Sequence, residues 1–173
     1  VHRHPAQIWM RHHATTDGRI VKIEARFVFD GGAYSSTSSA VLINGVTHTQ
    51  GPYQCPNAVV DGYAVRTNNP PCGAMRGFGV VQACFAHEGQ MDKLAAATGI
   101  DEVEIRLRNI IHTGDTMITG QVLESVAPLE RCIRETAAMP LPAEMGSHPH
   151  ELDLPGGSGR TADRRNIVRG IGW

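Results

Sequence analysis

An arginine and an aromatic ring stand two residues apart, Arg76 and Phe78, inside the stretch NPPCGAMRGFGVVQ at 69–82. Arg76 carries a permanently charged fork of five donors, a shape suited to gripping anionic oxygens. Phe78 supplies a flat apolar face close to that fork. Gly73, Gly77 and Gly79 tolerate positive φ and close backbone approach, while Pro70 and Pro71 stiffen the entry. From residue 80 the pattern turns helical, so the bend sits just before a helix N-terminus, where free N–H groups and a partial positive charge face outward. The chemistry on offer is a grip on an anionic group beside a planar one. The same composition also fits a plain turn feeding a helix, with Arg76 solvated and Phe78 in the core. It is not a dinucleotide fingerprint, because Gln82 stands where the third glycine belongs.

Other reactive residues are scattered. His12 and His13 fall on opposite faces of one strand-like run and read as surface or satisfied core histidines. His87 and Glu88 are helical neighbours expected to diverge, which disfavours a catalytic pair. Cys55, Cys72, Cys84 and Cys132 show no CxxC or CxH spacing. That argues against a zinc site, an iron–sulfur cluster or a disulfide framework in this stretch, and for reduced thiols in a cytoplasmic setting. Cys72 reads as a small loop filler, and His148 and His150 as solvated.

A net charge of −1 gives no field that would draw nucleic acid or an anionic membrane. The sequence shows no apolar run of the ~18–20 residues a spanning helix needs, and no signal peptide. It opens on VHRHP without methionine, as a cut-out piece or processed product would.

The elements that must position Arg76 and Phe78 are legible in outline. Asp17-Gly18 is a hairpin signal between strand-like runs at 7–14 and 19–30. In the second run Val21, Ile23, Ala25, Phe27 and Phe29 alternate with Lys22, Glu24 and Arg26, so one face is buried. Residues 35–39 form a polar connection, and 40–48 a short helix or an irregular crossing. Another strand runs over 58–67 and delivers the chain to the bend.

The helix over 80–97 carries Val81, Cys84, Phe85, Met91, Leu94 and Ala95 on an inward side, and Gly99 stops it. Asp101 caps a second helix, with Glu104 in capping-box register. In that helix Ile105 and Ile110 face inward, while Arg106 and Arg108 stay solvated or pair locally. Pro128 opens a third helix to about residue 138. The expected fold class is α+β, a mixed sheet with a hairpin and about three helices packed on one face.

The run CGAMRGFGVVQACFAHEGQMDKLA, continuing into DEVEIRLRNIIHTGD, resembles the molybdenum-binding region of the xanthine dehydrogenase/aldehyde oxidase family of molybdenum hydroxylases. The opening RHPAQIWMRHHATTDGRIVKIEARFVFDGGAY is similar to the same family's segment upstream. The likeness runs from Arg3 to Asp115, returns faintly at 169–172, and is strongest to bacterial purine-oxidising members. It implies an enzyme that hydroxylates purines, related azaheterocycles or aldehydes with oxygen taken from water. The implied cofactor is a molybdenum–pterin, molybdopterin or its cytosine dinucleotide, with a 2Fe-2S centre and, as an open alternative, FAD elsewhere in the parent.

By position, Arg76 matches the arginine that contacts the cofactor without ligating the metal, with Ala74 and Met75 beside it. Phe78 matches the aromatic that stacks on a planar substrate. Asn44 falls where xanthine-oxidising members carry an arginine, so a neutral amide replaces a charge and points away from xanthine itself. The family's glutamate base has no counterpart in this sequence. Neither has the upstream glycine-rich segment. The resemblance thus implies an internal piece, inactive alone, whose partners are the rest of the molybdenum-binding chain, iron–sulfur and flavin parts, and a small planar substrate. Residues 1–139 would be the molybdopterin-binding unit, 140–166 a flexible loop or linker, and 167–173 the start of a next strand or domain. A non-catalytic cofactor-loading or subunit-contact module, or a small enzyme holding phosphate at Arg76, remain as alternatives.

Overall fold

The structure is a computed structural model and describes residues 2–140. The expected start of a next strand, and the linker beyond its first residue, lie outside the described residues. Strand β1 (Ala6–Ala14) pairs antiparallel with β2 (Ile20–Gly32), Ile8 facing Phe27 and Met10 facing Ala25. Gly18, at φ +83°, closes the connection, its N–H donating to Thr15 O at 2.9 Å. Helix α1 (Ser38–Thr47) then crosses to β3 (Ala58–Arg66), which runs parallel to β2, giving the order β1-β2-β3. Helices α2 (Val80–Thr98), α3 (Glu102–Asn109) and α4 (Leu129–Ala137) follow.

The result is the expected α+β mixed sheet. There are four helices among the described residues because the 40–48 stretch resolves into α1. Alternation along β2 sends Ile23, Ala25, Phe27 and Phe29 to one face, each buried, under α1 and α2. The other face carries Arg26 over the Tyr63 ring at 5.1 Å and Glu24 between Lys22 and His13.

Local signals set the helix ends. Gly99 closes α2 in the left-handed region, and Asp101 caps α3 by accepting from Val103 N at 2.9 Å and Glu104 N at 3.1 Å. The capping box is only half made, because Glu104 turns to Arg108 Nε at 2.8 Å.

Three expectations about orientation need correcting. The inward stripe of α2 is Ala83, His87, Met91 and Ala95. Val81, Cys84 and Phe85 face outward, Phe85 with 86% of its surface exposed. A stripe at four-residue spacing through small Ala83 lets the helix lie on Phe27 and Phe29, and Phe85 is then about 160° round the helix from His87. Arg106 is buried rather than solvated, because Glu88 and Asp92 on α2 supply its partners, at 3.0 and 2.8 Å. The same pull brings Glu88 Oε1 to 3.4 Å from His87 Nε2, so those neighbours do not diverge. Burial raises the Glu88 pKa, yet hydrogen bonds from His87 and Tyr53 and the Arg106 charge outweigh it and hold the carboxyl below its ordinary value.

His12 also departs from expectation. It lies on the inner face of β1 with both ring nitrogens buried and unpartnered. Burial first, then the neighbouring His87, lowers its pKa to about 4, against a partial pull upward from Glu88. The unfolded chain therefore binds a proton near pH 6.5 that the folded chain refuses until about pH 4. The contribution of neutral His12 is intact above about pH 6.5 and falls by roughly 2–3 kcal/mol as pH drops to about 4. Glu24, held at about 2 by Lys22 and His13, extends the loss into the window below its ordinary value of 4.5. Urea unfolding at pH 7.5 and pH 4.5 should show a lower midpoint at the acid end. His12→Leu should flatten the upper part of that dependence.

Candidate functional site

The bend is built where the end of β2, α1 and α2 meet. Residues 72 and 73 are tied down by backbone bonds, Cys72 N to Gly31 O at 3.1 Å and Gly73 N to His2 O at 3.2 Å. Cys72 is buried, as a filler should be, and burial pushes its thiol pKa up, away from reactivity. Ala74, Met75 and Arg76 then emerge, all exposed. The chain turns over Phe78 N to Met75 O at 2.8 Å and Val80 N to Gly77 O at 2.9 Å. That second bond consumes one of the N–H groups expected to be free at the start of α2.

Gly77 and Gly79 use their freedom, at φ +88° and +96°, and Phe78 between them sits at φ +47°. A side chain in that region costs about 1–2 kcal/mol, so surrounding contacts must hold it. Gly79 is pressed against α1. A Cβ there would lie 2.2 Å from Val41 O and 3.0 Å from Gly45 N. Asn44, on the same helix, donates through Nδ2 to Phe78 O at 2.7 Å. Arg3 donates through Nη2 to Arg76 O, also at 2.7 Å, and Gln82 Nε2 to His4 O at 3.1 Å.

The structure thus brings Arg76, Phe78 and Asn44 into one cluster, with Ala74 and Met75 on its rim. Phe78 is half-buried and packs against the cluster of Phe27, Phe29 and Val41. Asn44 meets the bend through the Phe78 backbone. Arg3 was not anticipated as part of the site. It lies 73 positions from its partner, and a single arginine ahead of the first strand carries no local pattern.

Two features bear on what the cluster can hold. The Arg76 guanidinium makes no hydrogen bond or ion pair with any described residue, and Arg3 has no carboxylate partner among them either. Arg3 Nη1 is buried and unpartnered. Two guanidinium groups without counter-charge beside an exposed backbone bend suit an anionic, oxygen-rich group. The residues therefore fit a metal–pterin cofactor.

A charged, glycine-hinged bend thus stands on the rim of an α+β unit. The chain belongs to the molybdopterin cofactor-binding domain family, whose model matches residues 1–110. It is 46% identical over 123 residues to the nicotinate dehydrogenase large molybdopterin subunit of Eubacterium barkeri, covering 71% of this chain and 29% of that protein. It is 37% identical over 130 residues to a probable xanthine dehydrogenase subunit of Bacillus subtilis, covering 75% and 17%. Among solved structures, the aldehyde oxidoreductase of Desulfovibrio gigas superposes with a TM-score of 0.75 at 32% identity, over 78% of this chain and 15% of that one. The chain spans less than a third of the length of each of these proteins.

A methyl group at residue 79 would meet backbone on α1 and an unfavourable φ together. Gly79→Ala should destabilise the chain by about 2–4 kcal/mol in urea unfolding, whereas Gly89→Ala, inside α2 where a Cβ meets nothing within 4 Å, should stabilise it by about 0.5–1 kcal/mol.

Proposed function

We propose that this chain supplies one wall of the cofactor and substrate site of a molybdenum hydroxylase, an oxidoreductase of the xanthine dehydrogenase type acting on a purine or related azaheterocycle. The observation that carries the reading is the uncompensated Arg76 guanidinium, exposed on its bend two residues from a half-buried aromatic ring. When bound, the molybdenum–pterin group supplies the oxidation, with oxygen drawn from water. Arg76 donates to an oxygen of that group and counters negative charge on it, while Ala74 and Met75 line its edge. Phe78 offers its free side to a planar ring, and Asn44 lies beside it on the substrate side. A neutral amide at Asn44 offers no fixed charge to the substrate, where an arginine would favour an anionic oxygen as in xanthine. The likeness to an enzyme named for nicotinate supports a nitrogen heterocycle.

Residues 1–139 form the molybdopterin-binding unit in this reading. The rest of the molybdenum-binding chain completes the site and brings the general base. Electrons leave through a 2Fe-2S centre, with flavin as a further carrier, and the four free thiols support a cytoplasmic setting. An aldehyde substrate is the second reading, favoured by the superposition on an aldehyde oxidoreductase.

Metal and pterin analysis of the full-length protein tests the cofactor, and assays with hypoxanthine, xanthine and an aldehyde sort the substrates. Phe78→Ala should raise KM for a planar substrate about 3- to 10-fold, the worth of one aromatic stacking contact. Arg76→Met should lower kcat at least tenfold with the fold intact. The 173-residue chain alone should show no turnover. Unchanged kinetics in Arg76→Met, or hydroxylation by the isolated chain, would overturn the reading.

A further inference from the structure

The two carbonyls that flank Gly77 are each held by a side chain from elsewhere in the fold. Arg3, ahead of β1, takes Arg76 O, and Asn44, on α1, takes Phe78 O, both at 2.7 Å. Phe78 sits between them at φ +47°, which an aromatic residue does not adopt unless held. We propose that Arg3 and Asn44 act as a two-point clamp on the bend. They are the positioning residues that fix where the Arg76 fork and the Phe78 ring point.

The geometry supports a clamp rather than two incidental bonds. Gly77 lies over the Arg3 guanidinium, since a Cβ there would come within 3.8 Å of Nη1. That nitrogen is buried with no partner among the described residues, so the group stays at the bend without the saturation a structural arginine usually finds. Asn44 reaches its carbonyl only because Gly45 and Gly79 let α1 lie against the bend. The bend's own bonds, Phe78 N to Met75 O and Val80 N to Gly77 O, close the turn but leave both flanking carbonyls to these side chains. Releasing either lets Phe78 relax toward negative φ, and the ring and fork swing with it.

This inference rests on the reading of the bend as a cofactor and substrate wall, but its first test does not use the cofactor. Hydrogen exchange is followed at the Phe78 and Val80 amides in cofactor-free full-length protein. Asn44→Leu keeps the approximate shape and loses the donor without adding a charge. Arg3→Met loses the donors, and Arg3→Lys restores one. The first two variants should speed exchange at these amides about 3- to 10-fold, the worth of one lost hydrogen bond. Amides of β2 should be unaffected, and Arg3→Lys should recover much of the protection. Unchanged exchange at Phe78 and Val80 overturns the clamp, as does acceleration spread equally over β2. In the loaded enzyme Arg3→Met should raise KM for the planar substrate several-fold, and Arg3→Lys should recover it. If exchange changes as expected while KM does not, the clamp stands and the substrate role of Phe78 falls.

Discussion

The fold turns on a backbone contact between two glycines. Gly79 closes the bend and Gly45 lies on α1, and their main chains approach so closely that a Cβ on Gly45 would sit 3.3 Å from Gly79 O. This approach decides where α1 lies, and α1 is the crossover that makes β3 parallel to β2. It also decides where α2 begins, because the chain leaves Gly79 directly into Val80. The sheet supplies the floor for both helices through Phe27 and Phe29, and the glycine contact sets how closely the bend and α1 approach each other above it. Ala83, one turn into α2, continues the close packing by meeting Phe27, Phe29 and Val41 in one cluster.

Charge is treated in opposite ways at the two ends of α2. Toward its C-terminal half, Arg106 is buried and saturated, with Glu88, Asp92 and the Glu102 carbonyl around it and Tyr53 donating to Glu88 at 2.9 and 3.0 Å. A buried guanidinium without such partners would cost several kcal/mol, so this cluster is a structural joint between α2 and α3. At the N-terminal end, Arg3 and Arg76 have no ion-pair partner among the described residues. Solvent bears the cost for exposed Arg76, and Arg3 is only partly covered. The contrast separates the joint from the site better than residue identity does, since both ends are built from arginine and backbone.

The hairpin, the buried face of β2 and the helix ends were readable because each has a short-range cause. Asp17-Gly18, the alternation along β2, Gly99 and Asp101 act within a few residues of themselves. The face of α2 was not readable in the same way. Val81, Cys84 and Phe85 have the right hydrophobicity and spacing for a core stripe, and only the close approach of α1 and β2 selects the stripe through Ala83 instead. Arg106 looked solvated for the same reason, since its partners Glu88 and Asp92 lie on another helix.

The site was legible in its parts and opaque in its assembly. Arg76 and Phe78 stand out because glycines surround them, and Asn44 could be placed only through a family likeness. That Asn44 holds the backbone of Phe78, and that Arg3 holds Arg76, are facts of tertiary contact across 34 and 73 positions. Phe78 itself shows why such contacts escape a reading of sequence. An aromatic residue between two glycines looks like the one ordinary position in the bend, yet it carries the strain there. Its left-handed backbone lies where Asn44 and Arg3 reach the carbonyls on either side of Gly77.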